Sequence, residues 1–311
     1  IALRRPFDLI HGHLHEGALI GYLMSRLKGV PLVADLQGSM TSEMVDHRFL
    51  DPDGPWYRWV RLLEWHIVHL PDTVVTSTQM AAMLLEQDFN CSASRVYPLP
   101  DCVSLDFFRP DVLGPQAVLE RRSALGIPAD RPVVAYLGLL ADYQGTPHLL
   151  QAAGLLKTRG VEAHFLIMGF PGVEDYRRMA TDLEIADRVT FTGKVPYEDA
   201  PAQLALGDIA VAPKLSATEG AGKILNYMAM GLPTVAFDTR ISREYLGGLG
   251  TYATPVGDPT ALANAIEDLL DAPDRFTAIG QRLRERARRH FSWDRAGRHL
   301  LKVYRLALGR A

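Results

Sequence analysis

One short segment in the second half of the chain combines small residues with side chains that suit phosphate and hydroxyl groups. Its members are Lys214, Thr218, Glu219, Gly220, Ala221, Gly222 and Lys223. Glycines let backbone amides approach a ligand closely, lysines neutralise phosphate charge, and a glutamate accepts hydrogen bonds from hydroxyl groups. This combination predicts a site for a nucleotide sugar. A plain strand-to-helix turn with a solvated Glu219 explains these residues equally well.

Two strands and a helix are predicted to position this turn. Residues 209–213 form an apolar, β-branched run that is typical of a buried strand. Apolar residues at helical spacing then predict a helix that begins near Gly222 and ends at Gly231, before Pro233. Residues 234–237 form the next strand. In such a βαβ unit, a ligand binds at the carboxyl end of the first strand and a phosphate binds at the helix N-terminus.

The decapeptide YMAMGLPTVA, residues 227–236, resembles a signature of the retaining, GT-B-fold glycosyltransferases of family 4. In that family two glutamates, eight residues apart, precede this segment. The resemblance implies that Glu219 contacts the donor sugar and that residue 226 binds the nucleotide ribose. In this chain Asn226 replaces the second glutamate, and Glu219 lies seven positions before it, with Thr218 at eight. Asparagine still donates to and accepts from a ribose hydroxyl.

A second segment departs from the family pattern where the donor diphosphate is expected. Most relatives carry an arginine and a lysine after the glycine that corresponds to Gly138, and these two cations clamp the diphosphate. Leu139 and Gln144 replace them here. We expect Lys214 and Lys223 to supply the missing charge, with Gly138 and Gln144 still lining the donor site. Solvated lysines at a helix end are the alternative.

The resemblance assigns three further residues. Lys194 is expected beside the nucleobase, and Gln37 and His13 are expected to face the sugar from the first domain. His13 also belongs to an alternating series with His11 and His15, which suggests metal binding as an alternative. We expect a structural or loop role for the series and no metal in the protein.

The amino-acid composition limits the types of protein to which this chain can belong. The 311 residues are 48% hydrophobic and 22% charged, which is ordinary for a globular protein of about two domains. A net charge of −3 argues against a nucleic-acid partner. Cys91 and Cys102 match no metal or redox spacing and are expected to be reduced, as in a cytoplasmic protein. No apolar run approaches the roughly 20 residues of a membrane span.

Alternating strands and helices in both halves predict an α/β fold with two Rossmann-like, doubly wound parallel sheets that face a cleft. The family resemblance implies that this fold is of the GT-B class. The acceptor-side domain is expected over residues 1–112 and the nucleotide-sugar domain over 113–291. The C-terminal helix, 292–311, is expected to return to the first domain. Since the chain opens almost directly into a strand, the first domain is expected to be an N-terminally incomplete fragment.

The resemblance predicts a retaining, metal-independent glycosyltransferase without a cofactor, moving a sugar from a nucleotide-diphosphate donor to a sugar, lipid or other hydroxyl acceptor. Two alternatives remain: a protein that binds nucleotide or carbohydrate without transfer, and another reaction of the same fold, such as phosphorolysis. The sequence argues against a P-loop kinase, because the upstream glycine spacing is absent and Ile224, not serine or threonine, follows Lys223. The basic C-terminal helices suggest peripheral contact with the inner face of a membrane.

Overall fold

A computed structural model describes residues 6–216 and 220–309. The chain divides into two compact units. The first contains residues up to 102 and from 293 onward, together with Gly220, and the second contains residues 103–216 and 221–292. This division differs from the predicted boundary in that residues 103–112 group with the second unit.

The first unit is a parallel α/β layer. Its elements in chain order are β1 (Ile10–His13), α1 (Leu14–Lys28), β2 (Leu32–Leu36), α2 (Met40–Asp46), α3 (Tyr57–His69), β3 (Thr73–Thr76), α4 (Gln79–Gln87) and β4 (Val96–Pro98). The four strands pair in sequence order, and every pairing is parallel. Right-handed crossovers between neighbouring parallel strands place α1, α3 and α4 on the same face of this sheet.

The second unit carries the larger sheet. Its elements are α5 (Pro115–Ala124), β5 (Val133–Leu137), α6 (Thr146–Thr158), β6 (His164–Met168), α7 (Val173–Asp182), β7 (Val189–Gly193), α8 (Ala200–Leu204), β8 (Ile209–Ala212), α9 (Gly222–Met230), β9 (Thr234–Phe237), α10 (Arg240–Leu246), β10 (Thr251–Ala253), α11 (Pro259–Leu270) and α12 (Phe276–His290). The parallel strands follow the order β10-β9-β8-β5-β6-β7. The order therefore reverses direction between β5 and β8.

The last helix, α13 (Trp293–Ala307), packs on the first unit. Its Val303 is fully buried against Val33 of β2 and Val75 of β3, and Leu300 and Tyr304 pack around them. These strand residues point to the face opposite the cluster that Ala34 and Leu36 share with α1, α3 and α4. Because strand side chains alternate between faces, α13 and the other three helices cover the two sides of the small sheet.

Two arginines of α12, one of the basic C-terminal helices for which membrane contact is predicted, are engaged within the second unit. Arg284 donates to the carbonyl oxygens of Phe108 and Ala229, and Arg286 donates to the carbonyl oxygen of Tyr245 at 2.6 Å. Burial lowers the pKa of Arg284 below its ordinary value. These two arginines therefore join segments of the unit.

Two polar segments of the first unit are more regular than their composition suggests. Strand β1 continues to His13 and α1 begins at once, with Leu14 in a left-handed conformation (φ 60°). In the polar segment after β2, α2 begins at Met40. Ser39 caps this helix, since its side chain accepts from the amide of Ser42 at 3.2 Å.

Candidate functional site

The candidate site lies at the carboxyl ends of β5 and β8. Strand order reverses between these neighbours, and the described residues that follow them are 138–145 after β5 and 213–216 after β8. Open α/β sheets bind ligands in the crevice that such a reversal creates. The predicted donor-binding residues of the second unit fall largely on these two segments and at the start of α9.

The two segments are held together by their backbones. Gly145 adopts φ 77°, and a Cβ there would lie 1.8 Å from the carbonyl oxygen of Pro213. The amide of Leu215 donates to the carbonyl oxygen of Tyr143 at 2.9 Å. The close approach requires glycine at position 145 and fixes the two sides of the crevice relative to each other.

Lys223, on the first turn of α9, reaches across this crevice. Its Nζ donates to Oε1 of Gln144 at 2.7 Å and to the hydroxyl of Tyr136 at 3.1 Å. The ammonium also lies 4.3 Å from the centroid of the Tyr136 ring, a cation–π distance. A cation from the β8 side is thus held by acceptors from the β5 side.

Tyr136 is the buried support of this arrangement. Its hydroxyl donates to the carbonyl oxygen of Leu139 at 2.6 Å, which leaves its lone pairs for Lys223. Burial raises the pKa of Tyr136 well above its ordinary value, so the phenol stays neutral. Gly138 makes room for the lysine, because a Cβ at this position would lie 2.7 Å from Lys223 Nζ. The side chain of Leu139 is exposed.

The start of α9 supplies a second feature suited to an anion. The helix begins at the exposed Gly222, preceded by the buried Ala221, whose methyl group offers no acceptor to the first amides. The first amides of a helix point outward along its axis and carry partial positive charge. Asn226 lies one turn later and is partly buried. Tyr227 anchors the helix, because its hydroxyl accepts from the amide of Leu137 at 2.8 Å.

Lys194 lies at the neighbouring strand ends. It follows β7, is exposed, and holds its Nζ 5.1 Å from the ring centroid of Phe170, which follows β6. The structure thus places an aromatic ring and an ammonium at the edge of the same carboxyl-end surface.

Four predicted residues around the turn differ in what the structure shows of them. Lys214 follows β8 directly and is buried, so it is not a solvated charge. Gly220 is partly buried. Thr218 and Glu219, the expected sugar-contacting positions, lie outside the described residues.

The two predicted residues of the first unit lie at the carboxyl end of its sheet. Gln37 follows β2, and its carbonyl oxygen accepts from the hydroxyl of Ser77 at 2.6 Å. His13 ends β1, and its Nδ1 lies 3.2 Å from Oδ2 of Asp35. The adjacent carboxylate gives the imidazole a partner that the sequence did not reveal.

The histidine series does not converge on one point. His11 Nδ1 lies 2.8 Å from the Tyr304 hydroxyl, and burial lowers the pKa of His11. His15 is buried with its Nε2 3.8 Å from Oε1 of Glu64. Within residues 6–216 and 220–309, no group of three histidine, cysteine, aspartate or glutamate side chains is arranged to hold a metal ion.

Sequence reasoning missed Tyr136 and Phe170. Tyr136 lies inside an apolar strand, where an aromatic residue is ordinary core, and only the strand order brings it to Lys223. Phe170 follows β6 in the segment GFPG, and this strand-end position was the one available signal.

Two parallel-sheet α/β units, one with an anion-suited crevice at its strand reversal, define the GT-B class of glycosyltransferases. Family models agree: "Glycosyl transferases group 1" matches residues 131–272 and "Glycosyl transferase 4-like domain" matches residues 1–102. The chain belongs to this family, group 1 of the GT-B glycosyltransferases, also called family 4. Its activity is therefore that of a glycosyltransferase.

Similar proteins cover nearly the whole chain. An alpha-D-kanosaminyltransferase of Streptomyces kanamyceticus is 30% identical over 97% of this chain and 78% of its own length. A D-inositol 3-phosphate glycosyltransferase of Thermobispora bispora is 28% identical over 98% of this chain and 72% of its own length. Among solved structures, Anabaena HepE in complex with UDP aligns with a TM-score of 0.80 at 18% identity, covering 96% of this chain and 78% of HepE.

Over the part of the chain that the structure describes, no helix combines the length and apolarity that crossing a membrane requires.

Proposed function

We propose that this glycosyltransferase takes a sugar from a nucleotide-diphosphate donor and transfers it to a hydroxyl acceptor with retention of anomeric configuration. The observation that carries the proposal is the position of Lys223, whose ammonium is held over the strand reversal by Gln144 and Tyr136. A cation fixed beside a helix N-terminus is suited to a diphosphate.

Lys223 and the first amides of α9 bind the diphosphate in this proposal. They supply the positive charge that most relatives obtain from an arginine and a lysine at the positions of Leu139 and Gln144. Gln144 does not carry charge itself, but it orients the lysine that does. Lys214 adds a second cation at the carboxyl end of β8, with Gly220, Ala221 and Gly222 giving the phosphates close access to the backbone.

The rest of the nucleotide occupies the neighbouring strand ends. We assign the ribose hydroxyls to Asn226, one turn into α9. We assign the base to the edge formed by Phe170 and Lys194, where a ring and an alkyl stem offer a surface for stacking. The Anabaena HepE structure, solved also with UDP-glucose, supports a nucleotide sugar as donor.

Transfer then follows from positioning and charge stabilisation. The bond between the anomeric carbon and the diphosphate oxygen breaks while the acceptor oxygen bonds to that carbon from the same face. The departing phosphate oxygen takes the acceptor's proton. We assign contacts with the sugar to Thr218 and Glu219, and those from the first unit to Gln37 and His13. Positive groups around the diphosphate stabilise the developing negative charge, so the proposed reaction needs no metal or cofactor.

We also propose a cytoplasmic site of action. Cys91 and Cys102 are both free thiols, which suits a reducing compartment. We also propose peripheral contact of a membrane with the basic side chains of the C-terminal helices; the apolar side of α13 takes no part, since it packs on the sheet.

Binding without transfer is the second candidate, and the loss of charge at Leu139 favours it. Losing a charge-assisted contact of roughly 1.5–3 kcal/mol weakens the diphosphate site unless Lys223 compensates. Such a protein would retain nucleotide and sugar affinity but would not turn over.

Turnover with a donor panel separates the two candidates. The protein is incubated with UDP-, GDP-, ADP- and dTDP-sugars and a mixed set of hydroxyl acceptors, and nucleoside diphosphate release is measured. Transfer is supported by release of nucleoside diphosphate together with a product that keeps the anomeric configuration of the donor sugar, identified by proton NMR. Binding by calorimetry without release across the panel supports the second candidate. Equal release by Glu219→Ala and by the unaltered protein would remove Glu219 from the site.

A further inference from the structure

The outward side of α3 carries an apolar surface with an unusual content of tryptophan. Three of the chain's four tryptophans lie on this helix or at its N-terminal boundary. Trp56 is 71% exposed and Trp59 is 66% exposed. Other large exposed apolar side chains of the same helix are Leu62, Leu63 and Trp65. We call Trp56, Trp59, Leu62, Leu63 and Trp65 the tryptophan face.

Helix α3 itself contributes no exposed acid to this surface; an exposed carboxylate beside the helix, that of Asp88 after α4, pairs with Arg61. Across residues 56–69, all of which the structure describes, Glu64 is the single acidic residue, and it is only 1% exposed. Its carboxylate accepts from the amide of Thr41 at 3.1 Å and from the Thr41 hydroxyl, so its hydrogen bonds lie inside the first unit. Arg58 is exposed beside the tryptophans. The outward charge of α3 is therefore positive.

The helix is held rigidly behind this face. Ile67 and Val68 are buried in the core of the first unit. Arg61 lies with its guanidinium carbon 3.9 Å from the Phe89 ring centroid and its Nη2 3.4 Å from Oδ2 of Asp88. Turning the tryptophans inward would expose these core side chains. The exposure of the tryptophan face is thus built into the packing of α3.

We propose that the tryptophan face binds the interface of an anionic phospholipid membrane. Tryptophan has an apolar body and one polar N–H, which suits the boundary between headgroups and acyl chains. Arginine beside it attracts anionic headgroups. An exposed helix with these residues and no outward acid has the composition of an interfacial helix. The inference does not depend on the proposed transferase reaction.

The face differs from the element for which the sequence suggested membrane contact. The C-terminal helix α13 uses Val303 and Tyr304 to pack against the small sheet. Its Trp293 is 63% exposed, close to the value for Trp59, but it lies on a different element. Trp293 therefore provides a matched control for the effect of removing one exposed tryptophan.

Vesicle flotation with the full chain tests the proposal. The vesicles contain phosphatidylcholine alone or phosphatidylcholine with one third phosphatidylglycerol. We expect binding to the anionic vesicles, a weaker signal at high salt, and at least a tenfold lower partition coefficient for Trp56→Gln/Trp59→Gln, because two interfacial side chains are lost. Trp293→Gln should bind as the unaltered protein does. Circular dichroism and thermal unfolding confirm that the exposed substitutions leave the fold intact.

Three results would overturn the proposal. One is no binding of the unaltered protein to anionic vesicles. Another is an unchanged partition coefficient in the double variant, with binding lost in Leu23→Gln/Leu27→Gln, which removes exposed leucines of α1 instead. The third is a concentration-dependent dimer, seen by light scattering, that dissociates in the double tryptophan variant, since the face would then bind a second copy of the chain.

Discussion

The ammonium of Lys223 lies 2.7 Å from the side-chain oxygen of Gln144, although 79 residues separate them in the chain. Gln144 occupies the position where most family members carry a phosphate-binding lysine. In this protein the position holds an acceptor, and the cation comes from α9 on the other side of the strand reversal. A cation therefore lies at the crevice, although it is supplied by α9 and not by position 144.

Removing the acceptor should weaken nucleotide binding without removing the charge. In Gln144→Leu, Lys223 loses its closest partner and samples other rotamers, so we expect the affinity for the preferred nucleoside diphosphate to fall about tenfold, or roughly 1.4 kcal/mol. Isothermal titration calorimetry measures this change. Gln116→Leu, on the exposed side of α5, is the matched control and should leave affinity unaltered. Equal affinities for all three proteins would refute the orienting role of Gln144.

The Tyr136 hydroxyl should affect the site, whereas the Tyr227 hydroxyl should affect mainly stability. Tyr136→Phe removes an acceptor of Lys223, and we expect a loss of about threefold to fivefold in nucleoside diphosphate affinity. Tyr227→Phe removes a buried hydrogen bond to Leu137 and should lower the free energy of unfolding by about 1 kcal/mol. Calorimetry and denaturant unfolding on both variants test this separation. A larger affinity loss in Tyr227→Phe would contradict it.

Gly145 should tolerate no side chain. Gly145→Ala places a Cβ against the carbonyl oxygen of Pro213 and also strains a left-handed residue, so we expect a loss of more than about 3 kcal/mol in unfolding free energy. Gly160→Ala is the matched control, because φ there is 78° but no atom lies within 4 Å of the added Cβ. We expect about 1–2 kcal/mol for the control. Similar losses in urea unfolding of the two variants would show that the contact with Pro213 is unimportant.

Acid should destabilise the second unit through His164. Burial is the main reason that the pKa of His164 falls from 6.5 to about 4, and Nε2 lies 2.8 Å from the Thr190 hydroxyl. Since the unfolded state takes up a proton at higher pH than the folded state, the stability contributed by neutral His164 is present above pH 6.5. It is lost as pH falls toward 4, by at most about 1.4 kcal/mol per pH unit.

Unfolding free energies measured between pH 7 and pH 4 for the unaltered protein and His164→Gln check this expectation. The free energy of unfolding of the variant should depend less steeply on pH, and the difference in slope should correspond to at most one proton. Identical slopes in this range would show that His164 does not couple folding to protonation.

The βαβ unit around α9 was predictable because its signals are local. A β-branched run, a glycine-rich turn and Gly231 with φ 69° at the helix end follow from neighbouring residues alone. Helix α2 was also signalled locally, by Ser39 as a cap, but the polar composition of its segment hid it. The direct junction of β1 and α1 at Leu14 was not predictable, because a left-handed leucine is uncommon.

The candidate site was predictable only in part. Lys223 and Gly138 could be expected from motifs, and their joint position was not visible in either motif. The role of Gln144 depends on strand order, which sets β5 beside β8 across 75 residues of intervening chain, from Val134 to Ile209. Side chains that are brought together by such strand pairing have no characteristic spacing in the sequence, so no motif reveals them.

The most direct test of the account is calorimetric titration of nucleoside diphosphates into the unaltered protein, Lys223→Met and the exposed-lysine control Lys302→Met. UDP, GDP, ADP and dTDP are titrated in turn. We predict that at least one binds the unaltered protein and Lys302→Met alike, and that Lys223→Met binds it at least about tenfold more weakly. Equal binding by all three proteins, or no binding of any of the four diphosphates, would contradict the proposed donor site.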